Sequence, residues 1–229
     1  MAVSYLKDRV EPLRPKHCVW ELTLACNLRC KHCGSRAGEK RADELSVNEC
    51  LSVVDQLSKL GCEIITLSGG EPTLHKEWYT IACAIRDSGM IVNMVTNGYD
   101  LDEDTAYLMK KAGLANVGIS LDGTEKSHDI VRRKGSFKRS LKSLEILKNT
   151  GVKTAVLTTI NKHNIDQLED IHKLLVNINV NEWRLHLGKP MGNMKANIDL
   201  VVKPDDLLRL LPALLRIKES SPFEVGIGD

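Results

Sequence analysis

The chain has 229 residues, of which 42% are hydrophobic, so it is long enough for one domain with a sizeable buried core. Its 32 basic and 30 acidic side chains nearly cancel, and a net charge of +2 gives no electrostatic footprint for nucleic acid or an anionic membrane. No apolar run reaches the roughly 18 residues of a membrane-spanning helix, and no secretory signal opens the chain. We therefore expect a cytoplasmic protein that binds neither nucleic acid nor membrane.

The seven cysteines divide into two groups by their spacing. Four lie singly along the chain, which fits reduced thiols packed in a core better than a disulfide framework. These four are Cys18, Cys50, Cys62 and Cys83. Because disulfides are rare in reducing compartments, this usage also indicates the cytoplasm.

The other three cysteines, Cys26, Cys30 and Cys33, form a compact CxxxCxxC run that follows an apolar alternating segment. Three closely spaced thiols can hold three irons of a four-iron cluster and leave the fourth iron without a protein ligand. We expect the chemistry to take place at that open iron. The alternative is a structural zinc site, in which His32 or His17 adds a fourth ligand to the same cysteines.

From the first strand onward, strand and helix patterns alternate along the chain. The predicted strands cover residues 17–24, 63–68, 91–96, 115–121, 152–160 and 180–187. The predicted helices cover residues 46–60, 77–88, 102–112, 136–150 and 165–176, and a sixth starts near residue 204. A capping box opens the first helix, Asn164 is expected to cap the fifth, and Pro212 is expected to kink or divide the sixth.

Six largely apolar strands separated by helices demand parallel pairing, with right-handed crossovers and the helices outside. We therefore predict an α/β fold, a partial (β/α)6 barrel with parallel strands. In such folds the functional site lies at the C-terminal ends of the strands. The predicted organisation is an N-terminal arm over residues 1–16, the partial barrel over 17–218, and a C-terminal tail or truncated linker over 219–229.

Small polar residues follow each of the next four strands. The second strand runs into the Gly69-Gly70-Glu71-Pro72 motif, whose paired glycines let backbone approach a ligand without a Cβ in the way. The third strand ends at Thr96 and Asn97, the fourth at Ser120 and Asp122, and the fifth at Thr158 and Thr159. Because the carboxyl ends of parallel strands share one rim, we expect these groups to converge with the three cysteines.

Taken together, these motifs resemble the radical S-adenosylmethionine (SAM) superfamily: CxxxCxxC after the first strand, Gly-Gly-Glu-Pro after the second, and Thr-Asn-Gly and Ser-Leu-Asp-Gly at the next two strand ends. The resemblance covers residues 17–215. It implies a partial barrel that holds a 4Fe–4S cluster on Cys26, Cys30 and Cys33, with SAM bound to the open iron. It also implies an external electron donor such as flavodoxin or ferredoxin.

The resemblance further implies which residues bind SAM at the strand ends. Gly69, Gly70 and Glu71 would line its amino group, and Ser120 and Asp122 would lie near its ribose or carboxylate. Pro72, Thr96 and Asn97 complete the expected cofactor-binding set.

Two further side chains are expected at the cofactor. His32 precedes the third cysteine and would flank the adenine, and the alternative is a histidine that is solvated or bonded to backbone. Arg132 would pair with the SAM carboxylate, since a guanidinium fork suits that geometry, and the alternative is a solvated charge.

The reaction that the resemblance implies is reductive cleavage of SAM to a 5′-deoxyadenosyl radical, which abstracts hydrogen from a peptide or small-molecule substrate. The general acid or base stays open between Asp122, Glu71 and the region of His186.

Residues 128–137 resemble a segment of the peptide-maturase branch, whose members usually continue into a cysteine-rich domain of the SPASM type. No cysteine follows Cys83, so we expect this chain to lack that domain. The expected substrate is a ribosomally synthesised peptide that is crosslinked or epimerised. The alternatives are side-chain modification of a tetrapyrrole in the haem pathway and, from a different class, a non-catalytic iron–sulfur or zinc-binding module for electron transfer or structure.

Overall fold

A computed structural model of the protein describes residues 14–228. Its strands are β1 His17–Thr23, β2 Ile64–Gly69, β3 Ile91–Thr96, β4 Asn116–Ser120, β5 Thr154–Ile160, β6 Glu182–Leu187 and β7 Glu224–Gly228. Its helices are α1 Val47–Lys59, α2 Trp78–Asp87, α3 Glu103–Ala112, α4 Glu125–Val131, α5 Ser136–Thr150, α6 Leu168–Ile178 and α7 Leu207–Ser220. The predicted N-terminal arm, residues 1–16, lies outside the described residues except for residues 14–16.

The seven strands join one parallel sheet in the order β1-β2-β3-β4-β5-β6-β7. Because β1 and β7 are its two edges, the sheet is open and does not close into a full barrel. The predicted α/β fold, a partial barrel of parallel strands, is confirmed. The sheet has one strand more than the sequence predicts, since β7 lies within the segment 219–229 that is expected as a tail or linker.

The two faces of the sheet differ in polarity, which shows where the helices pack. Ile65 and Leu67 on β2 and Trp183 on β6 are fully buried and belong to the main hydrophobic core, to which the helices also contribute. Because successive side chains of a strand point to opposite faces, Thr66 and Arg184 lie on the other face. The helices therefore cover one face, and the concave face carries polar groups.

The sequence predicts the N-terminal cap of α1 correctly and that of α6 incorrectly. The predicted capping box is confirmed, because the Ser46 side chain accepts the Glu49 backbone N–H and the Glu49 carboxylate accepts the Ser46 N–H at 2.8 Å. The predicted cap at Asn164 is wrong, because α6 begins further along the chain without a side-chain cap. Asn164 instead donates to the carbonyls of Asp122 and Thr159 at 2.9 and 2.8 Å, which ties two strand ends together.

The helices are those of a packed α/β domain. The longest described helix, α5, has 15 residues, and within residues 14–228 none combines the length and the apolar character needed to cross a lipid bilayer. The predicted division of the last helix is wrong, because α7 runs unbroken through Pro212. Pro212 cannot donate to the Leu208 carbonyl one turn earlier, and Leu208 itself lies on the exposed side of the helix.

A short helix that the sequence pattern does not predict, α4, fixes the loop after β4. The Asp129 carboxylate accepts the Phe137 backbone N–H at 2.9 Å at the start of α5. His128 is fully buried, its ring meets Phe137 edge-on, and its Nδ1 accepts the Asp122 backbone N–H at 3.0 Å. Burial, and then the charge of Arg132, lower the pKa of His128 to about 4. The imidazole is therefore neutral at physiological pH.

Because the pKa of His128 is lower in the folded than in the unfolded protein, this residue stabilises the fold at neutral pH and less so in acid. The unfolded chain takes up the proton near pH 6.5 and the folded chain only near pH 4. The contribution is therefore complete above pH 6.5 and is lost as the pH falls towards 4. The difference between the pKa values of His128 in the unfolded and folded protein corresponds to about 3 kcal/mol of unfolding free energy.

We expect His128→Gln, which keeps an acceptor for the Asp122 amide, to show a smaller fall in unfolding free energy between about pH 7 and pH 4.5 than the parent protein. Urea denaturation at a series of pH values measures this slope. All other titrating side chains are common to both proteins, so the difference reports His128. Identical slopes would contradict the assignment.

Candidate functional site

A cavity of about 230 Å³ lies at the carboxyl ends of β2 to β5, beside the cysteine loop, residues 24–38. Ten of the thirteen predicted site residues line it. These are Cys26, Cys30, His32, Cys33, Gly69, Gly70, Thr96, Asn97, Ser120 and Arg132. The other three, Glu71, Pro72 and Asp122, are buried and do not line it. The strand ends thus converge with the cysteines, as the sequence predicts.

Each thiol of the cysteine loop receives at least one N–H group. The donors are the backbone of Leu28 (3.4 Å) and the side chain of Asn97 (3.8 Å) for Cys26, Arg132 Nη1 (3.9 Å) for Cys30, and the backbone of Ala37 (3.3 Å) for Cys33. Such donors stabilise thiolate sulfur and tune iron–sulfur clusters. Burial raises the pKa of Cys30 to about 11, although Arg132 opposes the rise. Its thiolate therefore needs additional positive charge, which a metal supplies.

A single zinc ion would need its protein ligands to converge on one point. Within residues 14–228, no group of three or more Cys, His, Asp or Glu side chains is placed to hold a single metal ion. His32 Nε2 faces Asp122 Oδ2 at 3.1 Å, and His17 Nε2 lies 2.8 Å from Thr66 Oγ1. The Nε2 atoms of both histidines are therefore engaged by other side chains, whereas His32 Nδ1 has no hydrogen-bond partner among the described residues. An iron–sulfur cluster does not require its thiolates to converge on one point.

The paired glycines after β2 pack against the protein's own backbone. A Cβ on Gly70 would lie 2.3 Å from the carbonyl oxygen of Ala25, and one on Gly69, whose φ is 133°, would lie 2.3 Å from that of Thr23. Through this approach, the N–H groups of Gly70 and Glu71 donate to the carbonyls of Thr23 and Ala25 at 2.7 and 2.8 Å. Both glycines line the cavity, and they also let the turn close on the start of the cysteine loop.

The Glu71 carboxylate holds the end of β3 in place. It accepts Thr96 Oγ1 at 2.7 Å, the Asn97 backbone N–H at 2.8 Å and Thr73 Oγ1 at 2.8 Å. Burial raises the pKa of Glu71, and these donors oppose the rise. Glu71 therefore positions two lining residues, Thr96 and Asn97, and does not itself face the cavity.

A second buried carboxylate, that of Asp122, joins three loops. Its Oδ2 lies 2.5 Å from Arg132 Nε and 3.1 Å from His32 Nε2, and its Oδ1 accepts the Thr159 N–H at 2.7 Å. Burial alone would raise the pKa of Asp122, but Arg132 and then His32 outweigh burial and hold the pKa well below its ordinary value. Only 10% of the Arg132 side chain is exposed, so the alternative of a solvated charge is wrong.

His32 leaves one ring nitrogen unsatisfied in the cavity wall. Its side chain is only 7% exposed, and Nδ1 is buried with no hydrogen-bond partner among the described residues. Neither the solvated nor the backbone-bonded alternative for His32 is therefore observed. Because buried polar atoms are nearly always hydrogen-bonded, Nδ1 indicates a polar partner supplied by a ligand or water.

The loop between β6 and α7 clamps the cysteine loop, a contact that sequence reasoning missed. Asn193 donates its backbone N–H to the Cys33 carbonyl at 2.8 Å and its side-chain amide to the Cys30 carbonyl at 3.0 Å. A Cβ on Gly192, whose φ is 55°, would lie 2.3 Å from the Cys33 carbonyl oxygen. The adjacent Gly-Asn pair is the only sequence signal, and such pairs more often mark simple turns.

Of the three acid–base candidates, one has a side chain that is not already engaged. Glu71 and Asp122 are both occupied by internal hydrogen bonds. His186 is the register partner of Thr159, which lines the cavity. Its neighbour Leu185 faces the core, so His186 points to the concave face, where it forms no hydrogen bond with a described residue.

Comparison with known sequences places the chain in a family. The family model described as the Radical SAM superfamily matches residues 20–175, more than half of the chain. The chain is 38% identical to Fe-coproporphyrin III synthase of Methanosarcina barkeri over 159 residues, which cover 69% of this chain and 40% of the relative. It is 34% identical to mycofactocin maturase MftC of Mycolicibacterium smegmatis over 157 residues, which cover 68% of this chain and 42% of the relative. The chain spans about half the length of the curated relatives that it matches.

Comparison with solved structures supports the same fold. Streptococcus suis SuiB bound to S-adenosylmethionine superposes with a TM-score of 0.81 at 15% identity, over 94% of this chain and 51% of SuiB. SuiB bound to its precursor peptide SuiA gives the same TM-score. At this identity the likeness concerns the fold alone. Enzymes of the matched family use a 4Fe–4S cluster and SAM, and the thiols and the cavity described above fit both groups. From the extent of the family match and the agreement in fold, the chain belongs to the radical SAM superfamily of enzymes.

Proposed function

We propose that this protein carries out radical SAM chemistry on a ribosomally synthesised peptide, which it crosslinks or epimerises. The observation that carries the proposal is the cavity, in which three thiols with N–H donors face a glycine turn and small polar strand ends. The peptide part is supported by the similarity to a mycofactocin maturase and by the fold shared with SuiB, a protein that binds a precursor peptide.

In this proposal Cys26, Cys30 and Cys33 hold the cluster, and SAM lies against the glycine turn. When bound, these groups supply a 5′-deoxyadenosyl radical that abstracts hydrogen from the substrate. Arg132 binds the SAM carboxylate, because its guanidinium is buried, charged and fixed at the cavity wall. His32 flanks the adenine and offers its unsatisfied Nδ1 as a polar contact.

The remaining predicted residues shape the cavity in two ways. Three of them, Thr96, Asn97 and Ser120, form its wall, and we assign them to contacts with SAM. Glu71 and Asp122 act from behind the wall by holding lining side chains in one orientation. Pro72 begins a short 3₁₀ turn, Pro72–Leu74, that ends the glycine motif. Such support keeps a site within the narrow geometry that catalysis requires.

A tetrapyrrole is the second candidate substrate, and the 38% identity with Fe-coproporphyrin III synthase favours it. Arg184 and His186 lie on the concave face, and side chains with N–H donors of this kind can bind carboxylates of either substrate class. In both cases the electron comes from outside, from a donor such as flavodoxin or ferredoxin. All seven cysteines are unpaired, which supports a reducing cytoplasm as the location.

Replacement of one predicted iron ligand tests the radical chemistry. We expect anaerobically reconstituted protein that is then reduced with dithionite to carry a 4Fe–4S signal in electron paramagnetic resonance that changes on SAM addition, and the reduced protein with SAM to yield 5′-deoxyadenosine. Cys30→Ala should abolish that product. The matched control is Cys62→Ser, because the Cys62 thiol is buried in the core and bonds the Ile64 carbonyl, so iron content and product should persist. Fully loaded parent protein that makes no 5′-deoxyadenosine would sink the proposal.

A methyl group at the glycine turn tests the coupling between turn and cysteine loop. We expect Gly70→Ala to lose most of its iron as well as its SAM affinity, because the new Cβ displaces the backbone at Ala25. Gly226→Ala is the control, since its Cβ meets only Arg184 Cγ at an ordinary 3.8 Å. Iron analysis and SAM binding are measured on both proteins. Normal iron with weak SAM binding would show that Gly70 faces the ligand alone.

Co-expression with a short precursor peptide encoded beside the gene separates the two substrate classes. We expect a mass change in that peptide, which disappears when Cys30→Ala replaces the parent protein. Purified enzyme is incubated with coproporphyrin in parallel. A mass change in the porphyrin and none in the peptide would favour the tetrapyrrole.

A further inference from the structure

A patch of basic and aromatic side chains lies on the surface next to the cysteine loop. We define the Tyr99 patch as Tyr99, Arg133 and Arg139, together with Lys134, the exposed neighbour of Arg133 in the chain. The guanidinium carbons of Arg133 and Arg139 lie 4.8 and 5.4 Å from the centroid of the Tyr99 ring, so one ring contacts two cations. All three basic residues are exposed, and none forms an ion pair with a described residue. The patch therefore presents three uncompensated positive charges.

The patch is linked to the candidate cluster by a short series of contacts. Arg133 Nη1 donates to the Asn27 carbonyl at 3.4 Å, and the Asn27 side chain accepts from Asn97 Nδ2 at 2.7 Å. The same Nδ2 lies 3.8 Å from Cys26 Sγ. Only two residues therefore separate the exposed guanidinium from a thiol. Asp100 accepts from the other side of Asn27 and is the one acidic side chain that contacts this series.

The patch lies outside the cavity, since none of its four members lines it. A protein bound there leaves the lining residues free for cofactor and substrate. The basic side chains at the patch come from the loop after α4 and the first turns of α5, two elements that the Asp129 carboxylate joins. The patch is therefore built on a fixed corner of the fold.

We propose that the Tyr99 patch is the docking surface for an acidic one-electron carrier protein. This inference rests on the proposed function, which requires an electron from outside. The carrier's reduced flavin or iron–sulfur centre loses one electron and the cluster gains it, with no bond made or broken. Electron transfer weakens steeply with distance, so the carrier must dock where the cluster lies near the surface. Complementary charge raises the rate of such encounters, and Tyr and Arg are the side chains most often central to interfaces.

Charge reversal tests the docking surface. The variant Lys134→Glu/Arg139→Glu leaves the Arg133 bond to the cysteine loop in place. The control, Lys111→Glu/Lys153→Glu, changes the net charge equally at exposed residues near the opposite, amino-terminal end of the strands. Formation of 5′-deoxyadenosine is measured with three reductants: reduced flavodoxin, reduced plant-type ferredoxin and dithionite.

We expect the patch variant to lose about tenfold or more in rate at low ionic strength with a carrier protein. Its dithionite rate should match that of the parent, and the loss should shrink as salt is added. The control should keep all three rates. If the patch variant loses rate with only one of the two carriers, flavodoxin or ferredoxin, that result identifies the carrier that docks at the patch.

Three results would contradict the proposed docking surface. These are an equal loss of rate with carrier and with dithionite, an equal loss of rate in the patch variant and the control, and no loss of rate with either carrier. Failure of the proposed function is seen separately, since the parent protein then makes no 5′-deoxyadenosine with dithionite. That result would remove the basis for both proposals.

Discussion

The structure depends on one buried ion pair, between Asp122 and Arg132. Charges inside a protein are tolerated only when they are paired and hydrogen-bonded, and the loss of one partner leaves the other uncompensated. Here the Asp122 carboxylate takes bonds from Arg132, from His32 in the cysteine loop and from the Thr159 backbone. Arg132 in turn reaches Cys30 Sγ. One carboxylate thus sets the relative position of β4, β5, α4 and the cysteine loop.

The cysteine loop has almost no regular secondary structure, so its backbone groups depend on other loops for partners. The glycine turn after β2 binds its beginning, where Gly70 can approach because it lacks a Cβ. The loop after β6 binds its end, through Asn193. The three thiols are therefore held by segments that come from both halves of the sheet, which makes the geometry of the site a property of the whole fold.

Sequence pattern predicts the elements well here because alternation and helical spacing are local. It predicts six strands and every described α-helix except α4, and the strand-end motifs identify most of the residues that line the cavity. It misses β7, because its five residues include Gly226 and Gly228 and carry only two apolar side chains, Val225 and Ile227. It also misses the hydrogen bond from Asn193 to the Cys30 carbonyl. The two residues are 163 positions apart in the chain, and no periodic sequence pattern marks a contact of that kind. Nor can it show that the Glu71 carboxylate bonds Thr96 and Asn97, because that contact depends on the neighbouring strand.

The open sheet has a further consequence at β7. Its outer edge pairs with no strand within residues 14–228, so a row of backbone amides and carbonyls stays available. Exposed strand edges recruit other extended chains, and natural proteins restrict this with short or poorly formed edge strands. The brevity and the glycines of β7 act in that direction. At the β7 edge the sheet is therefore only a weak template for another strand, and pairing there leaves the four strands that form the cavity unchanged.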